Sequence, residues 1–362
     1  MRCLTVMSHR RAMAIAVAAM TFLVAAPAMA HEAGEHVENY WTAWDFDFWI
    51  VIPLILAAWV YLRGLKAAPE SAPSSGTGKA GFWNHLAFFS GLVVFYLVLQ
   101  SPIEPISDRV FIVHQIEHMG LRTIGPMLVM LAAPQAILIR GLPRWARSGL
   151  LAPVVGSAVT RGLFAPIVHP VGATVLFVGV SSFWMIPRFH DSAILDTPIH
   201  YTWHATLMLT GLVFFWRVLD QRTNGLSFLP RLVMLWFAVM GNILLGAYLA
   251  FKSDVLYTAY GTLGRLWDIG ALTDERIGGM TMWVPGAMML AMAMLAVTHR
   301  WRRSEERSEG RRKTARKKVS SEAYLAPRRA GNRAIAFGVA GFILFVFVMS
   351  IVVGIVFDHA PT

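Results

Sequence analysis

Eight apolar segments, each long enough to cross a bilayer, restrict what this 362-residue chain can fold into. They run roughly over 46–65, 82–100, 110–139, 167–187, 198–219, 229–251, 278–298 and 334–357. A spanning helix needs about 20 predominantly apolar residues, and the bilayer core offers no water to backbone N–H and C=O groups. Helices satisfy those groups internally, so the expectation is all-α: a polytopic transmembrane helical bundle of about eight spans. A composition of 56% hydrophobic and 15% charged residues excludes an ordinary soluble domain. The stretch 149–166 is apolar but broken by Gly and Pro and interrupted by Arg161, which suits an interfacial or re-entrant segment.

Before these segments the chain reads as a secretory signal peptide over 1–30. His9, Arg10 and Arg11 close a basic region, Ala12 to Ala26 is apolar, and Ala28-Met29-Ala30 supplies small residues for cleavage. An uncleaved first helix is the alternative. Cleavage would remove Cys3, the only cysteine, and leave His and Met for any soft-metal chemistry. Residues 31–45 then form a periplasmic leader, in which His31 would offer an α-amine and an imidazole to Cu(II) and His36 a third nitrogen. A seven-span membrane core follows over 46–298, with a flexible Pro/Ser/Gly linker at 67–81. Next come a basic cytoplasmic loop over 299–333, disordered over 302–320, and a terminal span and short periplasmic tail over 334–362.

The formal net charge of +11 is local rather than global. Residues 299–333 hold thirteen Lys/Arg and four acids, residues 1–30 hold three Arg, and the remainder sums to −1. A basic block beside membrane helices is a topology signal, and no nucleic-acid partner is expected. The loops carrying Arg63, Lys66, Lys79, Arg140, Arg144, Arg147, Arg161, Arg217, Arg222 and Arg231 share one side with that block, which makes this side cytoplasmic. The chain is therefore expected in the bacterial inner (plasma) membrane. His31, His36, His114, His118, His190, His200, His204 and His359 then fall at the periplasmic face, and His85, His169 and His299 inside.

Two His-x-x-x-His pairs stand out, His114/His118 and His200/His204. Four residues is about one helical turn, so each pair puts two imidazoles on one face. Ionisable residues at membrane depth are costly and mark pathways or ion sites. Ser107-Asp108 and Asp196-Thr197-Pro198 provide caps for the third and fifth spans. The seventh opens near Thr273-Asp274-Glu275 and carries Met280 and Met282 at the head of a Met-rich stretch. Alternation of direction brings the starts of these three helices to one side, where their positive dipole ends favour neutral imidazole. Imidazole suits Zn, Cu, Fe and Ni, and thioether favours Cu(I), so copper is the simplest ion for a cysteine-free His/Met site. Two rivals remain. Paired histidines could ligate haem in an electron-transfer protein, and His114-Gln115-Ile116-Glu117-His118 fits the H-x-x-E-H pattern of an intramembrane zinc peptidase. Asp45, Asp47, Glu104 and Asp108 are weaker candidates on the same side.

Several stretches resemble the CtaG-type cytochrome c oxidase assembly factors. They are Ser101-Pro-Ile-Glu-Pro-Ile-Ser-Asp108, His114–His118 leading to Leu131-Ala-Ala-Pro134, and His200-Tyr-Thr-Trp-His204 running to Phe215-Trp216. Leu245-Gly-Ala-Tyr-Leu-Ala250 with Leu256-Tyr257, and Asp274-Glu-Arg-Ile-Gly-Gly-Met-Thr-Met-Trp-Val-Pro-Gly286, complete the set. The likeness covers about 82–298, and Glu117 and Glu275–Arg276 depart from its usual Gln-rich pattern. The resemblance implies a non-catalytic copper chaperone or metallation aid that works with cytochrome c oxidase subunits and a soluble periplasmic copper donor. Its carry-over lands on His114, His118, His200 and His204, with Met280, Met282 and Asp274 as additional ligands or groups that orient them.

Overall fold

The computed structural model describes residues 42–44, 46–67, 81–219, 226–315, 337–349 and 351–352. The signal peptide, the leader through Trp41, Asp45, most of the 67–81 linker, the basic stretch 316–336 and His359 lie outside the described residues.

Every regular element among the described residues is helical, in agreement with the all-α expectation. Two 19-residue helices, α1 (Phe48–Lys66) and α2 (Phe82–Gln100), precede the short α3 (Ile103–Ser107). Helix α4 (Phe111–Met119) continues through one wider π-type turn, Gly120–Ile124, into α5 (Gly125–Leu131), and α6 (Gln135–Gly141) follows. A second wide turn, Ala146–Leu151, leads into α7 (Ala152–Gly156) and α8 (Ala158–Val168). Then come α9 (Pro170–Trp184), α10 (Pro187–Leu195), α11 (Thr197–Leu219) and α12 (Phe228–Phe251). The short α13 (Ala259–Leu263), the 45-residue α14 (Ala271–Ala315) and the apolar α15 (Phe337–Met349) complete the set.

Four helices are long and apolar enough to cross a membrane, or seven if each of three bent pairs is one span. Helix α11 is 23 residues long but falls outside that count, because its first half is diluted by His200, His204 and several threonines. The expected straight span over 110–139 is instead bent by 77° after Leu131. Ala133 there takes a left-handed conformation, φ 49°, and Pro134 disfavours helix in the residue before it. The segment 149–166 does bend, by 74° between α7 and α8. A third correction concerns 302–315, which is helical rather than disordered. Arg, Glu, Lys and Ala are good helix formers, and Arg302 pairs with Glu306 one turn on at 3.6 Å. At about 1.5 Å per residue α14 reaches about 68 Å, more than twice the bilayer core.

Packing contacts alternate the long helices in direction. Gln100, at the end of α2, accepts from the Asp47 N–H at the start of α1, and Tyr201, near the start of α11, donates to the Asp47 carboxylate. These ends, with the starts of α4 and α14, form one pole, the histidine pole. At the opposite pole Arg300 donates to the terminal carbonyls of α11 (Leu219, 2.7 Å) and α5 (Leu131, 3.3 Å). Arg231 does the same for Val218 at 2.9 Å, and it also donates to the carbonyl of Leu226, just before α12, at 2.7 Å. The carbonyls of Leu131, Val218 and Leu219, which a helix end leaves without a partner, are thus satisfied by guanidinium groups.

Candidate metal centre

The helix bearing His114 and His118 is capped from a distance. The cap expected at Ser107-Asp108 ends α3 instead, and α4 begins at Phe111 with no side chain of its own to satisfy its first N–H groups. Asp274, in the first turn of α14, takes both: Phe111 N–H donates to Oδ2 at 2.9 Å and Ile112 N–H to Oδ1 at 3.0 Å. Arg265 pairs with the same carboxylate. A Cβ on Gly278 would lie 2.2 Å from the Phe111 ring, so the missing side chain lets α14 close on α4.

The helix bearing His200 and His204 starts as its sequence indicates. Asp196 Oδ1 accepts from Ile199 N–H at 3.1 Å, with Pro198 in the first turn. Lower down, a Cβ at Gly211 would stand 2.2 Å from the Arg122 carbonyl oxygen. That close approach seats α11 against the wide turn below α4 and brings the two histidine pairs face to face.

His114, His118 and His204 converge, with one ligand atom from each lying within 4.8 Å of the others. All three rings are buried. The His114 and His118 ring centroids are 4.0 Å apart, those of His118 and His204 5.3 Å, and Trp203 packs on the first two at 4.7 and 4.4 Å. His200 joins through His204, with Nε2···Nε2 at 3.0 Å, and its Nδ1 lies 3.7 Å from Asp108. Glu117, with 0% exposure, reaches His204 Nε2 at 3.4 Å. Both ring nitrogens of His114, Nε2 of His118 and both oxygens of Glu117 have no hydrogen-bond partner. Buried polar atoms are almost always satisfied, so five bare ones on three neighbouring residues of one helix call for a further partner. An ion fits that requirement, and three imidazoles without a thiolate suit Cu or Zn.

The other expected ligands are placed differently. The Asp274 carboxylate is spent on capping α4 and pairing with Arg265. Met282 packs in an apolar cluster with Phe111, Trp184 and Trp203, and its carbonyl accepts from Asn242 at 3.3 Å. Met280 is half-buried on the same helix.

Residues 59–304 match the family described as cytochrome c oxidase caa3 assembly factor (Caa3_CtaG). The chain belongs to that family. Curated relatives include an uncharacterized protein of Mycobacterium leprae, 23% identical over 286 residues, which are 75% of this chain and 41% of the relative. Another is an uncharacterized protein of Mycobacterium bovis, 25% identical over 285 residues, again 75% of this chain and 41% of the relative. The chain therefore spans less than half the length of these relatives. No solved structure matches it.

The Caa3_CtaG match contains every residue of the cluster, including some that sequence reasoning left aside. His190, a lone histidine in the short α10, is fully buried beside His114 with ring centroids 5.7 Å apart. Its Nδ1 faces the Trp184 carbonyl at 3.2 Å and must donate there, so Nε2 accepts from the Tyr260 hydroxyl at 2.9 Å. Burial, reinforced by nearby carboxylates, pushes the Tyr257 and Tyr260 hydroxyls well above their ordinary titration range, which keeps both as donors. Tyr257 donates to the Met185 carbonyl at 2.9 Å. His190 is thus satisfied on both nitrogens and supports the wall of the cluster. A sequence signal existed in the adjacent Pro187 and Asp191, but nothing in the spacing tied His190 to the pairs.

Proposed function

We propose that this chain is a membrane-embedded assembly factor that holds copper at its histidine pole and aids metallation of cytochrome c oxidase. The observation that carries the reading is the buried trio His114, His118 and His204 within 4.8 Å, in which His114 and His118 keep unpartnered ring nitrogens, set in a chain of an oxidase assembly family. His200, at 3.0 Å from His204 and beside Asp108, is the fourth candidate ligand and the one toward the pole's surface. A site that must release its cargo should be less closed than a structural one.

Three features support the finer parts of the reading. Lys/Arg residues crowd the pole opposite the histidines, which favours a periplasmic histidine pole in a bacterial inner membrane. The role is taken as non-catalytic, in line with the family description. Packing of the imidazoles against one another and against Trp203 disfavours the haem alternative, since axial ligation needs opposed rings with a macrocycle between them. Oxidase subunits, and a soluble periplasmic copper donor, are the partners this role requires.

The test is the metal content and visible spectrum of detergent-purified protein, beside a variant with His114, His118, His200 and His204 all changed to Ala. About one copper per chain, lost in the variant and without a Soret band, is expected for one such site. Absence of copper from both proteins, or a haem spectrum, would overturn the reading.

A further inference from the structure

Arg122 lies midway along the span that α4 and α5 form, in the wide turn below the histidine trio, and is only 6% exposed. Ionisable residues at that depth are rare and mark pathways or ion sites. Arg231, the comparable buried guanidinium at the opposite pole, is held by backbone carbonyls, with Nη1 on Val218 and Nε and Nη2 on Leu226. Arg122 caps no helix end. Its Nη1 donates to Asn242 Oδ1 at 3.0 Å, its guanidinium carbon lies 4.0 Å from the centre of the Phe177 ring, and Nε has no hydrogen-bond partner. An amide oxygen and an aromatic face hold a guanidinium in place without neutralising it.

Packing sets this charge close beneath the trio. Arg122 follows His118 by about one helical turn. Its carbonyl meets α11 at Gly211, two turns below His204. A Cβ on Gly286 would lie 2.6 Å from Asn242 Nδ2 and 3.9 Å from the sulfur of Met119, so the partner of Arg122 sits beside the residue after His118. The Arg122 charge acts on His118 through the interior. Glu117, the anion of the cluster, directs its ion-pair contact to His204 instead.

Three neutral imidazoles bring no charge to a bound cation, so a fixed positive charge nearby acts on it directly. Two unit charges about 8 Å apart at an effective dielectric of about 20 repel enough to weaken binding about thirtyfold. For a dication the repulsion is twice as large. We propose that Arg122 is a cationic floor beneath the trio. Its charge weakens the hold of His114, His118 and His204 on copper, bars a cation from moving deeper, and keeps the ion releasable toward His200 and Asp108. The inference rests on the copper reading above and adds what sets the strength of the site.

The experiment measures copper affinity of the detergent-purified full chain against competing chelators, with Cu(I) under reductant and Cu(II) in air. Wild type is compared with Arg122→Gln, which deletes the charge, and with Asn242→Asp, which neutralises it in place without altering the arginine. Both variants should bind Cu(I) at least tenfold tighter than wild type and Cu(II) by a larger factor, and should release copper to excess chelator more slowly. A damaged fold loses affinity, so a gain cannot come from misfolding, and Asn242→Asp decides alone if Arg122→Gln does not fold. Unchanged or weaker binding in Asn242→Asp would overturn the proposal. So would a gain confined to Arg122→Gln, or an equal gain for both oxidation states, since either would mark a packing effect. Wild type that binds no copper overturns the copper reading itself, and this inference with it.

Discussion

Two glutamates at the histidine pole are equally buried and oppositely furnished. Glu275 accepts from the backbone N–H groups of Leu256 at 2.9 Å and Tyr257 at 3.0 Å, pairs with Lys252, and lies 3.8 Å from Arg265. Neither oxygen of Glu117 has a hydrogen bond of good geometry, the Ser107 side chain being its one nearby uncharged partner among the groups that act on it. Both are 0% exposed. Burial alone therefore says nothing about role, but saturation does. The Lys252–Glu275–Arg265–Asp274 network spends all its charge inside the protein, tying the loop after α12 to the start of α14 and, through Asp274, to the start of α4. The Glu117 cluster leaves its charge and lone pairs facing one another. One region is built to hold helices in place, and the other is held in place by it.

Isosteric substitution is the sharpest way to break that comparison. Glu275→Gln keeps the volume but strands Lys252, and removing one partner of a buried pair costs about 3–5 kcal/mol. Glu117→Gln strands nothing, so metal-free stability should move by no more than about 1 kcal/mol. Thermal unfolding of both variants in one detergent, without added metal, reads the difference. Similar shifts in the two midpoints would show that Glu117 has a structural partner after all.

Asp274 tests whether the network positions the site or joins it. Asp274→Ala removes two charge-assisted hydrogen bonds to the start of α4, each worth about 1.5–3 kcal/mol, and a loss of about 3 kcal/mol is expected. Copper affinity should fall with stability, because His114 sits in the first turn of the helix that loosens. Asp274→Asn retains one acceptor and should recover part of both. A ligand role, as the sequence first suggested for Asp274, would instead show as lost copper with unchanged stability.

Packing supplies the next test. Gly211→Val forces a side chain into the Arg122 carbonyl and pushes α11 from the turn below α4. Overpacking of this kind costs about 1–3 kcal/mol. His200 and His204 would shift relative to His114 and His118, so copper should weaken although every candidate ligand is intact. Unchanged copper affinity would mean that the two pairs do not share an ion.

Much of this arrangement was legible in the chain. Apolar length announced the helices, the four-residue spacing put each His pair on one face, and alternation of direction placed the starts of the third, fifth and seventh spans together. The Asp196 cap was readable because its partner, Ile199, lies three residues away. What was not readable depends on partners far apart in sequence. Asp274 caps a helix 163 residues earlier, and no local pattern encodes that. Helix rotation, which separates His200 from the converging trio, is fixed by Gly211 and Trp203 contacts rather than by spacing. The 77° bend after Leu131 needed a left-handed Ala133, a conformation that alanine rarely signals. The continuation of α14 through 302–315 was hidden by its charge, since dense Lys/Arg/Glu reads as disorder unless it extends a helix already nucleated.

The smallest effect concerns the wall behind the histidines. His190 is saturated, by Trp184 O and the Tyr260 hydroxyl, and by the rule drawn from the two glutamates it should act as a support. Tyr260→Phe deletes one neutral hydrogen bond and leaves His190 Nε2 without its donor, a loss of about 1 kcal/mol. His190 Nε2 would then be as bare as the nitrogens of His114, 5.7 Å away ring to ring. If saturation is what separates wall from site, freeing that nitrogen should alter the Cu(II) spectrum of Tyr260→Phe more than it alters the unfolding midpoint. A variant whose spectrum matches wild type would place His190 beyond reach of the ion, and the boundary of the site at His114.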